Sequence, residues 1–424
     1  MEEKVKTDKE IKNENNNKNS NNKKEINEGK KIISNIIKKS IQCSKKTQEI
    51  CSKILDSILC KDKEKLKLFC EDGLPDEIPE LRSLIWKINI GYLPLDMEKW
   101  DETLKSKRVS YKLYKNFIFE KLEKEMELFE GYENLDKKEK LALIKKTHRL
   151  ILEDICKDTN RTHNEMSFFL KPTDKNRIFT EEEIIKLFEK KQNCNLKNIN
   201  DTYKINIELT NSDIISKILF IYTKFEPETS YVQGMNEILA PIYYCFSIGS
   251  SNSDEPIDNI EADSFYTYYF LMLKLKSLFI KNNDNKDIGV NGKTIRLTKM
   301  LEFIDNNLYN YLKGTKFDFS ILVFRWLSLL FSQNFDMMDL IRLWDYLFSN
   351  GNIMERCYYI ALAIILMKKE DIFKVKLIND VYKLFQNTND LFVENVIANA
   401  KYISQKCGKK CLKIIEASYK DKEK

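Results

Sequence analysis

Glycine and proline are scarce in this sequence of 424 residues, which contains 11 glycines and 7 prolines. The many turns of a β-sandwich or β-barrel need these residues, so their scarcity argues against both folds and against Pro-rich or collagen-like chains. The sequence also contains neither a Walker motif nor a G-x-G-x-x-G motif. We therefore predict an all-α protein that lacks the usual phosphate-binding loops.

Histidine is equally rare, since only His148 and His163 occur, and the ten cysteines include no C-x-x-C pair. Neither histidine has a partner at metal-ligand spacing, so we expect no metal site. The longest apolar run, residues 357–367, ends at Lys368 and is too short to span a bilayer. Without a signal peptide either, the chain is expected to be cytoplasmic, with recruitment to endomembranes left open.

The net charge of +6 is concentrated at the ends of the chain. Residues 1–31 are rich in Lys, Asn and Glu and are predicted to form a disordered tail. Residues 401–424 contain eight lysines and three acidic residues, which predicts a solvated tail or a weak contact with acidic membranes. The body between them is nearly neutral, which gives no support for nucleic-acid binding.

Hydrophobic periodicity divides the rest of the chain into helical and polar segments. Two amphipathic helices are predicted in residues 32–72, before the break at Gly73-Leu74-Pro75. Polar stretches at 190–213 and 249–263 are predicted to be surface insertions. The strongly apolar helical segments are 214–225, 236–246, 264–280, 317–331, 338–348 and 355–368.

Arginine is uncommon in a chain that has 62 lysines and 9 arginines, so each arginine is a candidate for a role that lysine cannot fill. Arg161 follows a helical pattern in which Ile155 points inward, and Arg161 lies off that apolar face. Asp158 is three residues earlier, where a carboxylate can hold the guanidinium. From the residues alone, an ordinary surface ion pair is the favoured interpretation.

A second polar group stands just before a predicted helix, in Tyr231-Val-Gln233-Gly234-Met235-Asn236. A side-chain amide at this place can be presented outward as both donor and acceptor. From the residues alone, Gln233 is also consistent with a simple loop glutamine followed by a turn glycine.

Taken together, I-x-x-D-x-x-R-T at 155–162 and Y-x-Q-G-M-N at 231–236 resemble the TBC domain family of GTPase-activating proteins for Rab GTPases. The resemblance covers residues 70–390 and is strongest to the branch of TBC domain family member 13. Further matching positions are Gly73-Leu-Pro, Arg82 and Trp86 in the opening segment, and Arg325, Trp326, Trp344 and Asp345 in the C-terminal half.

The resemblance implies two helical subdomains, at 73–248 and 249–400, and a GTP-bound Rab as partner. It implies that Arg161 is an arginine finger and Gln233 a glutamine finger, which act on the nucleotide of the Rab in the regulation of vesicle trafficking. GTP and Mg²⁺ would belong to the Rab, so no cofactor of this chain's own is expected. Residues that would support the fingers or bind the partner are Asp158, Thr162, Tyr231, Gly234, Met235 and Asn236.

Two departures from the family pattern stand out. The separation of 72 positions from Arg161 to Gln233 exceeds the usual spacing, and Asn334 occupies a position where the family commonly has glutamate. Two alternatives therefore stay open: a TBC-fold scaffold that binds a Rab without stimulating it, and a helical adaptor with no GTPase partner. The residues expected to have structural roles instead are Arg82, Trp86, Arg325, Trp326, Trp344 and Asp345.

Overall fold

The structure is a computed structural model that describes residues 28–130, 151–171, 210–251, 255–283, 287–349, 351–386, 388 and 390–420. These ranges contain helices and turns but no β-strand, which confirms the predicted all-α class. Within them, no helix combines the length and apolar character that a membrane span requires. Residues 1–27 of the predicted N-terminal tail lie outside the described residues, as do residues 190–209 of the first predicted insertion.

The α-helices are, in chain order, α1 (Glu28–Ser40), α2 (Lys45–Leu59), α3 (Lys63–Glu71), α4 (Pro79–Ile90), α5 (Trp100–Glu130), α6 (151–159), α7 (Ser167–Leu170), α8 (Asn211–Phe225), α9 (Met235–Ser250), α10 (Ile257–Leu275), α11 (Val290–Ile304), α12 (Asn306–Gly314), α13 (Phe319–Leu322), α14 (Met337–Phe348), α15 (Ile353–Met367), α16 (Lys369–Lys374), α17 (Ile378–Gln386) and α18 (Val393–Lys420).

Helix α9 is the centre of the N-terminal half, where it packs against α4, α8 and α10. Both α8 and α9 are buried on nearly all sides, as expected for helices that are apolar all round. Helix α8 begins with a capping box in which Thr210 and Asp213 bond each other's backbone N–H groups. The predicted insertion 190–213 therefore extends too far toward the C-terminus, because α8 already begins at Asn211.

Helix α15 has the corresponding position in the C-terminal half, where it packs against α18, α14 and α11. The apolar run 357–367 lies in this helix as a core segment. The two halves meet where α4 packs on α14, with the rings of Trp86 and Trp344 centred 5.7 Å apart. Both tryptophans are fully buried, so they anchor the junction between the halves.

The N-terminal extension differs from the prediction, because it has three helices instead of two and begins at Glu28. Ser44 and Asp62 cap the N-termini of α2 and α3 with their side chains, and these caps divide the segment. The Gly29 N–H donates to Asp101 Oδ1 at 2.8 Å, and Glu28 forms an ion pair with Arg108. Because of these tertiary contacts, α1 begins at Glu28, before residue 32, where the predicted helical segment begins.

The prediction that 249–263 is a surface insertion is wrong for most of that segment. Helix α9 continues to Ser250, and α10 begins at Ile257. Its polar residues Glu261 and Asp263 are buried, since each forms an ion pair with a basic residue of another helix. Composition alone cannot reveal this, because a carboxylate is buried only when distant residues supply its partner.

Two further segments differ from the sequence-based description. The predicted C-terminal tail 401–424 is helical to Lys420 as part of α18, and Cys411 is buried. The predicted helical segment 317–331 is irregular: the short α13 is followed by a π-helix, Val323–Ser328, and then by Leu330 and Phe331 in the left-handed conformation. No propensity signal in the sequence marks either feature.

Candidate functional site

Arg161 lies in the turn that follows α6. Ile155 anchors this helix in the core, and the Thr159 hydroxyl lies 2.7 Å from the Ser216 hydroxyl of α8. The Arg161 side chain is 67% exposed, and its Nη2 donates to Asp158 Oδ1 at 2.7 Å. Its Nε donates to the carbonyl oxygen of Lys157 at 3.1 Å. The Asp158–Arg161 contact expected from their spacing is present, and two hydrogen bonds restrict where the guanidinium points.

Gln233 lies exposed in the turn that precedes α9. Gly234 follows in the left-handed conformation, with φ +102°, as the N-cap of α9. A Cβ at Gly234 would stand 2.6 Å from Leu329 Cδ2, so both the backbone angle and the neighbouring side chain require glycine. Met235 is fully buried at the helix start. Gly234 and Met235 thus fix the backbone of this turn on its buried side, and the Gln233 side chain projects into solvent.

A hydrogen-bond network joins the Arg161 turn to the Gln233 turn. The Tyr231 hydroxyl donates to Asp158 Oδ2 at 2.8 Å, on the carboxylate that also holds Arg161. Asn236 Oδ1 accepts from the Gly234 N–H at 3.1 Å, and Asn236 Nδ2 donates to Thr162 Oγ1 at 2.6 Å. The Thr162 hydroxyl in turn donates to the Asp158 carbonyl at 2.9 Å.

The structure therefore brings together all eight residues of the predicted site in two adjoining turns. The two that are exposed, Arg161 and Gln233, are the predicted fingers. The buried or half-buried six form the support: Asp158, Thr162, Tyr231, Gly234, Met235 and Asn236.

Two residues behind this network were missed in the sequence. Glu237 accepts a hydrogen bond from Asn236 Nδ2 at 3.2 Å, and its Oε2 lies 3.8 Å from His163 Nε2. Burial raises the pKa of Glu237 to about 7, with a smaller upward effect from Asp158 and Glu165. Burial lowers the pKa of His163. The sequence gives a single indication of both residues: His163 directly follows Thr162, and Glu237 directly follows Asn236, and both of these are predicted support residues.

The residues expected to be structural are outside the hydrogen-bond network of the two turns, and most are buried. Arg82 donates through Nε and Nη2 to the Asp345 carboxylate, and Trp86 Nε1 donates to Asp345 Oδ1 at 2.8 Å. Trp344 Nε1 donates to the carbonyl of Leu330 at 2.9 Å. Asp345 thus accepts bonds from α4 and holds the two halves together.

Trp326, Asn334 and Arg325 belong to the C-terminal half. Trp326 is fully buried, with its ring edge-on to Phe385 at 5.5 Å. Asn334, where the family commonly has glutamate, donates to the Phe385 carbonyl at 3.3 Å. The Asn334 amide thus binds the backbone of α17 through its nitrogen. Arg325, on the π-helix, is only half-buried.

Comparison with known proteins finds similarity to one family. Residues 180–373 match the family model of the Rab-GTPase-TBC domain, a range that includes Gln233 but begins after Arg161. TBC1 domain family member 13 of Homo sapiens is 29% identical, over 77% of this chain and 93% of that protein. GTPase-activating protein gyp7 of Schizosaccharomyces pombe is 30% identical over 36% of this chain and 19% of its own length.

Solved structures show the same fold. The crystal structure of the Ypt/Rab-GAP domain of Gyp1p aligns with a TM-score of 0.57 at 18% identity, over 82% of this chain and 96% of that one. The Chlamydomonas flagellar RabGAP TBC domain aligns with a TM-score of 0.50 at 15% identity, over 84% and 91%. The fold is thus the all-helical TBC fold. Residues 180–373 thus match the TBC domain family model, and the chain is similar to member 13 along most of its length.

Proposed function

We propose that this protein stimulates GTP hydrolysis by a Rab-family small GTPase, with Arg161 and Gln233 as its two fingers, in the regulation of vesicle trafficking. The observation that carries the proposal is the network through Asp158, Tyr231 and Asn236, which fixes two exposed polar side chains of distant sequence on adjoining turns. The family match and the relatives named as GTPase-activating proteins support it.

Arg161 suits the task of stabilising negative charge on a transferring phosphoryl group. Its guanidinium is exposed and already oriented by Asp158 and the Lys157 carbonyl, so little freedom is lost when a partner docks. An arginine finger supplied in trans accelerates hydrolysis by about 10³–10⁵-fold in related GTPases. GTP and Mg²⁺ would come with the Rab, and this chain would supply no cofactor.

Gln233 suits the task of orienting the attacking water. Its amide offers a donor and an acceptor at once, and Gly234 and Met235 fix the backbone from which it projects. The group would act in place of the glutamine that small GTPases carry themselves. Both fingers then act on one transition state, while the hydrolysis itself takes place on the Rab.

The test is a panel of purified, GTP-loaded Rab GTPases in which single-turnover phosphate release is measured with and without this protein. We expect acceleration of at least one Rab, a loss of about 10³-fold or more for Arg161→Lys, and retained capture of the Rab in its GTP-bound form. Lys157→Met is the matched control, because it removes a neighbouring exposed cation that the mechanism does not use.

Two other results would contradict the proposal. Capture of a GTP-bound Rab without any acceleration by the wild-type protein would support the scaffold alternative. If no Rab of the panel is captured, the adaptor without a GTPase partner becomes the better description.

We also propose that α18 makes a weak contact with anionic membranes, where Rab GTPases would be met. Lys406 Nζ lies 4.5 Å from the ring centre of Tyr402, and Lys410 Nζ lies 5.3 Å from that of Phe303. Both aromatic rings are largely exposed, a combination typical of interfacial contacts. Co-sedimentation with vesicles containing phosphatidylserine should fall when Lys406 and Lys410 are both replaced by glutamate, and unchanged co-sedimentation would contradict the contact.

A further inference from the structure

The segment beside the Gln233 turn has an unusual backbone. A π-helix spans Val323–Ser328, and the two residues after Leu329 are non-glycine residues in the left-handed conformation, Leu330 at φ 51° and Phe331 at φ 63°. π-Helical turns and left-handed non-glycine residues are both energetically unfavourable and concentrate at functional sites. Two such features in succession make this segment a candidate for a role beyond packing.

Packing places the segment directly against the candidate site. The Leu329 side chain fills the space beside Gly234, where an added Cβ would stand 2.6 Å from its Cδ2. Arg325 lies in the π-helix that leads directly to this contact, four residues before Leu329, and Ile321 lies in α13 just before the π-helix.

Arg325 differs from the other arginines of the described ranges. Its side chain is half-buried, and its Nε is buried without a hydrogen-bond partner among the described residues. Burial lowers the pKa of Arg325. The arginines that do lie at ion-pair distance from a carboxylate are Arg82, Arg108, Arg161, Arg296, Arg342 and Arg356.

The neighbours of Arg325 have the composition of a protein interface. Ile321 is 46% exposed and Phe324 is 41% exposed, so two large apolar side chains close to Arg325 in the sequence are open to solvent. Aromatic residues and arginine are the types most enriched in protein–protein contacts. A cation that is partly withdrawn from water and lacks a counter-charge is unfavourable in the free protein, and a docking carboxylate would correct this.

We propose that Arg325, close in the sequence to the exposed Ile321 and Phe324, binds an acidic side chain of the partner GTPase beside the Gln233 turn. This inference rests on the proposed function and adds a contact to the same site. A planar guanidinium can accept a carboxylate through two parallel hydrogen bonds, which fixes the orientation of the partner as well as its position. The contact is equally strong in the docked complex and in the transition state. It therefore contributes to affinity and partner choice and leaves the rate of the chemical step unchanged.

The experiment compares Arg325→Met with wild-type protein on the Rab that responds most strongly in the panel. We expect KM to rise about 10- to 100-fold, the range for losing a hydrogen bond to a charged group, while kcat stays within about threefold. Because Arg325→Met removes a poorly solvated charge and keeps an apolar chain of similar length, its Tm should equal or exceed that of wild type. Arg342→Met is the matched control, since Arg342 pairs with Glu394 and should show a lower Tm with unchanged KM.

A charge exchange then identifies the partner group. Arg325→Glu should lose affinity further, and one Asp→Arg or Glu→Arg substitution on the surface of the same Rab should restore it. Failure of every such substitution to restore affinity would overturn the proposal.

Two other outcomes for Arg325→Met also overturn the proposal. An unchanged KM with a lower Tm would show that Arg325 has a structural role. A lower kcat with an unchanged KM would point to a contact with the nucleotide. All of these differ from failure of the proposed function, in which the wild-type protein stimulates no Rab and both proposals fall.

Discussion

The Tyr231 hydroxyl and the Asp158 carboxylate meet at 2.8 Å across 73 residues of sequence. Burial of the phenol, reinforced by Asp158, raises the pKa of Tyr231, so the hydroxyl remains a donor at every physiological pH. Asp158 uses its other oxygen for Arg161. One carboxylate therefore positions the predicted arginine finger and ties it to the turn of the predicted glutamine finger.

Replacing Tyr231 by Phe should therefore lower turnover through its effect on the support network. The substitution keeps the ring and removes only the hydroxyl that bonds Asp158 and Asn236, so we expect kcat to fall about tenfold and the free energy of unfolding to fall by about 1–3 kcal/mol. Single-turnover hydrolysis and thermal unfolding measure the two effects. Tyr402→Phe, which changes an exposed hydroxyl on α18, should alter neither. Normal turnover in Tyr231→Phe would show that Arg161 is held by Asp158 without help.

A Rab whose own switch glutamine is replaced by alanine distinguishes a glutamine supplied by this protein from one supplied by the GTPase. If Gln233 orients the water, that Rab should still be stimulated by the wild-type protein and not by Gln233→Ala. The Arg161→Lys and Gln233→Ala effects should also be strongly non-additive, because both groups act on one transition state. Stimulation that vanishes with the altered Rab, together with a harmless Gln233→Ala on the normal Rab, would leave only the arginine finger.

Gly234→Ala should both destabilise the protein and disturb the Gln233 turn. Alanine at φ +102° is strained, and its Cβ would meet Leu329 Cδ2 at 2.6 Å. We expect a loss of about 2–3 kcal/mol in the free energy of unfolding and a lower kcat. The matched control is Gly314→Ala, where a Cβ meets nothing within 4 Å and which should be neutral or slightly stabilising. Adding Leu329→Ala to Gly234→Ala should recover part of the stability, and no recovery would mean that the backbone angle alone matters.

The buried carboxyl of Glu237 should make stability fall as the pH rises. Its pKa of about 7 in the folded state exceeds the ordinary value of 4.5, so the native state binds the proton more tightly than the unfolded state. The resulting stabilisation is complete below about pH 4.5 and is lost as the pH approaches about 7, with at most about 3 kcal/mol involved.

Denaturant unfolding of wild type and Glu237→Gln at pH 5, 6, 7 and 8 measures this effect. The difference between the two proteins isolates Glu237, because His163, Asp158 and Glu165 are common to both. Wild type should lose stability relative to Glu237→Gln as the pH rises. A difference that is constant with pH would contradict the raised pKa.

Asp263→Asn should be strongly destabilising, even though the residue lies in a segment that reads as a polar surface loop. Burial raises the pKa of Asp263, but Lys87 and Arg108 outweigh burial and hold it at about 2. The substitution leaves two cations without their shared counter-charge, so we expect a loss of about 3–5 kcal/mol near pH 7.

Because the folded pKa of Asp263 is depressed, its contribution is present above about pH 4 and disappears as the pH falls through about 2. The stabilities of wild type and Asp263→Asn should therefore converge in acid. Asp371→Asn, at an exposed ion pair, should cost less than about 1 kcal/mol.

The sequence predicted those features that depend on residues close to one another in the chain. The apolar periodicity located α8, α9, α14 and α15 to within a few residues, and the spacing of Asp158 and Arg161 indicated their ion pair. The support residues around the fingers came instead from the resemblance to the TBC family. The roles that the resemblance implies for these residues stay predictions.

The contacts that could not be predicted are those between residues far apart in the chain. Asp263 is buried because Lys87 and Arg108 come from two other helices, and a window of sequence around Asp263 contains neither. The π-helix at Val323–Ser328 and the left-handed Leu330 and Phe331 arise from how the segment fits between its neighbours. Arg325 looked like a core residue in a helical pattern, and what distinguishes it is that no carboxylate of the described ranges pairs with it.

The N-terminal extension also determines the order in which this protein can fold. Glu71 forms its ion pair with Arg356 across 285 residues, and the Glu71 carbonyl accepts a hydrogen bond from Arg342. At roughly 5–20 residues per second, a ribosome needs about 15–60 s to make the chain between Glu71 and Arg356. Helix α3 therefore lacks these contacts and its packing against α14 for most of synthesis, whereas α1 can pack against α5 as soon as α5 has been made.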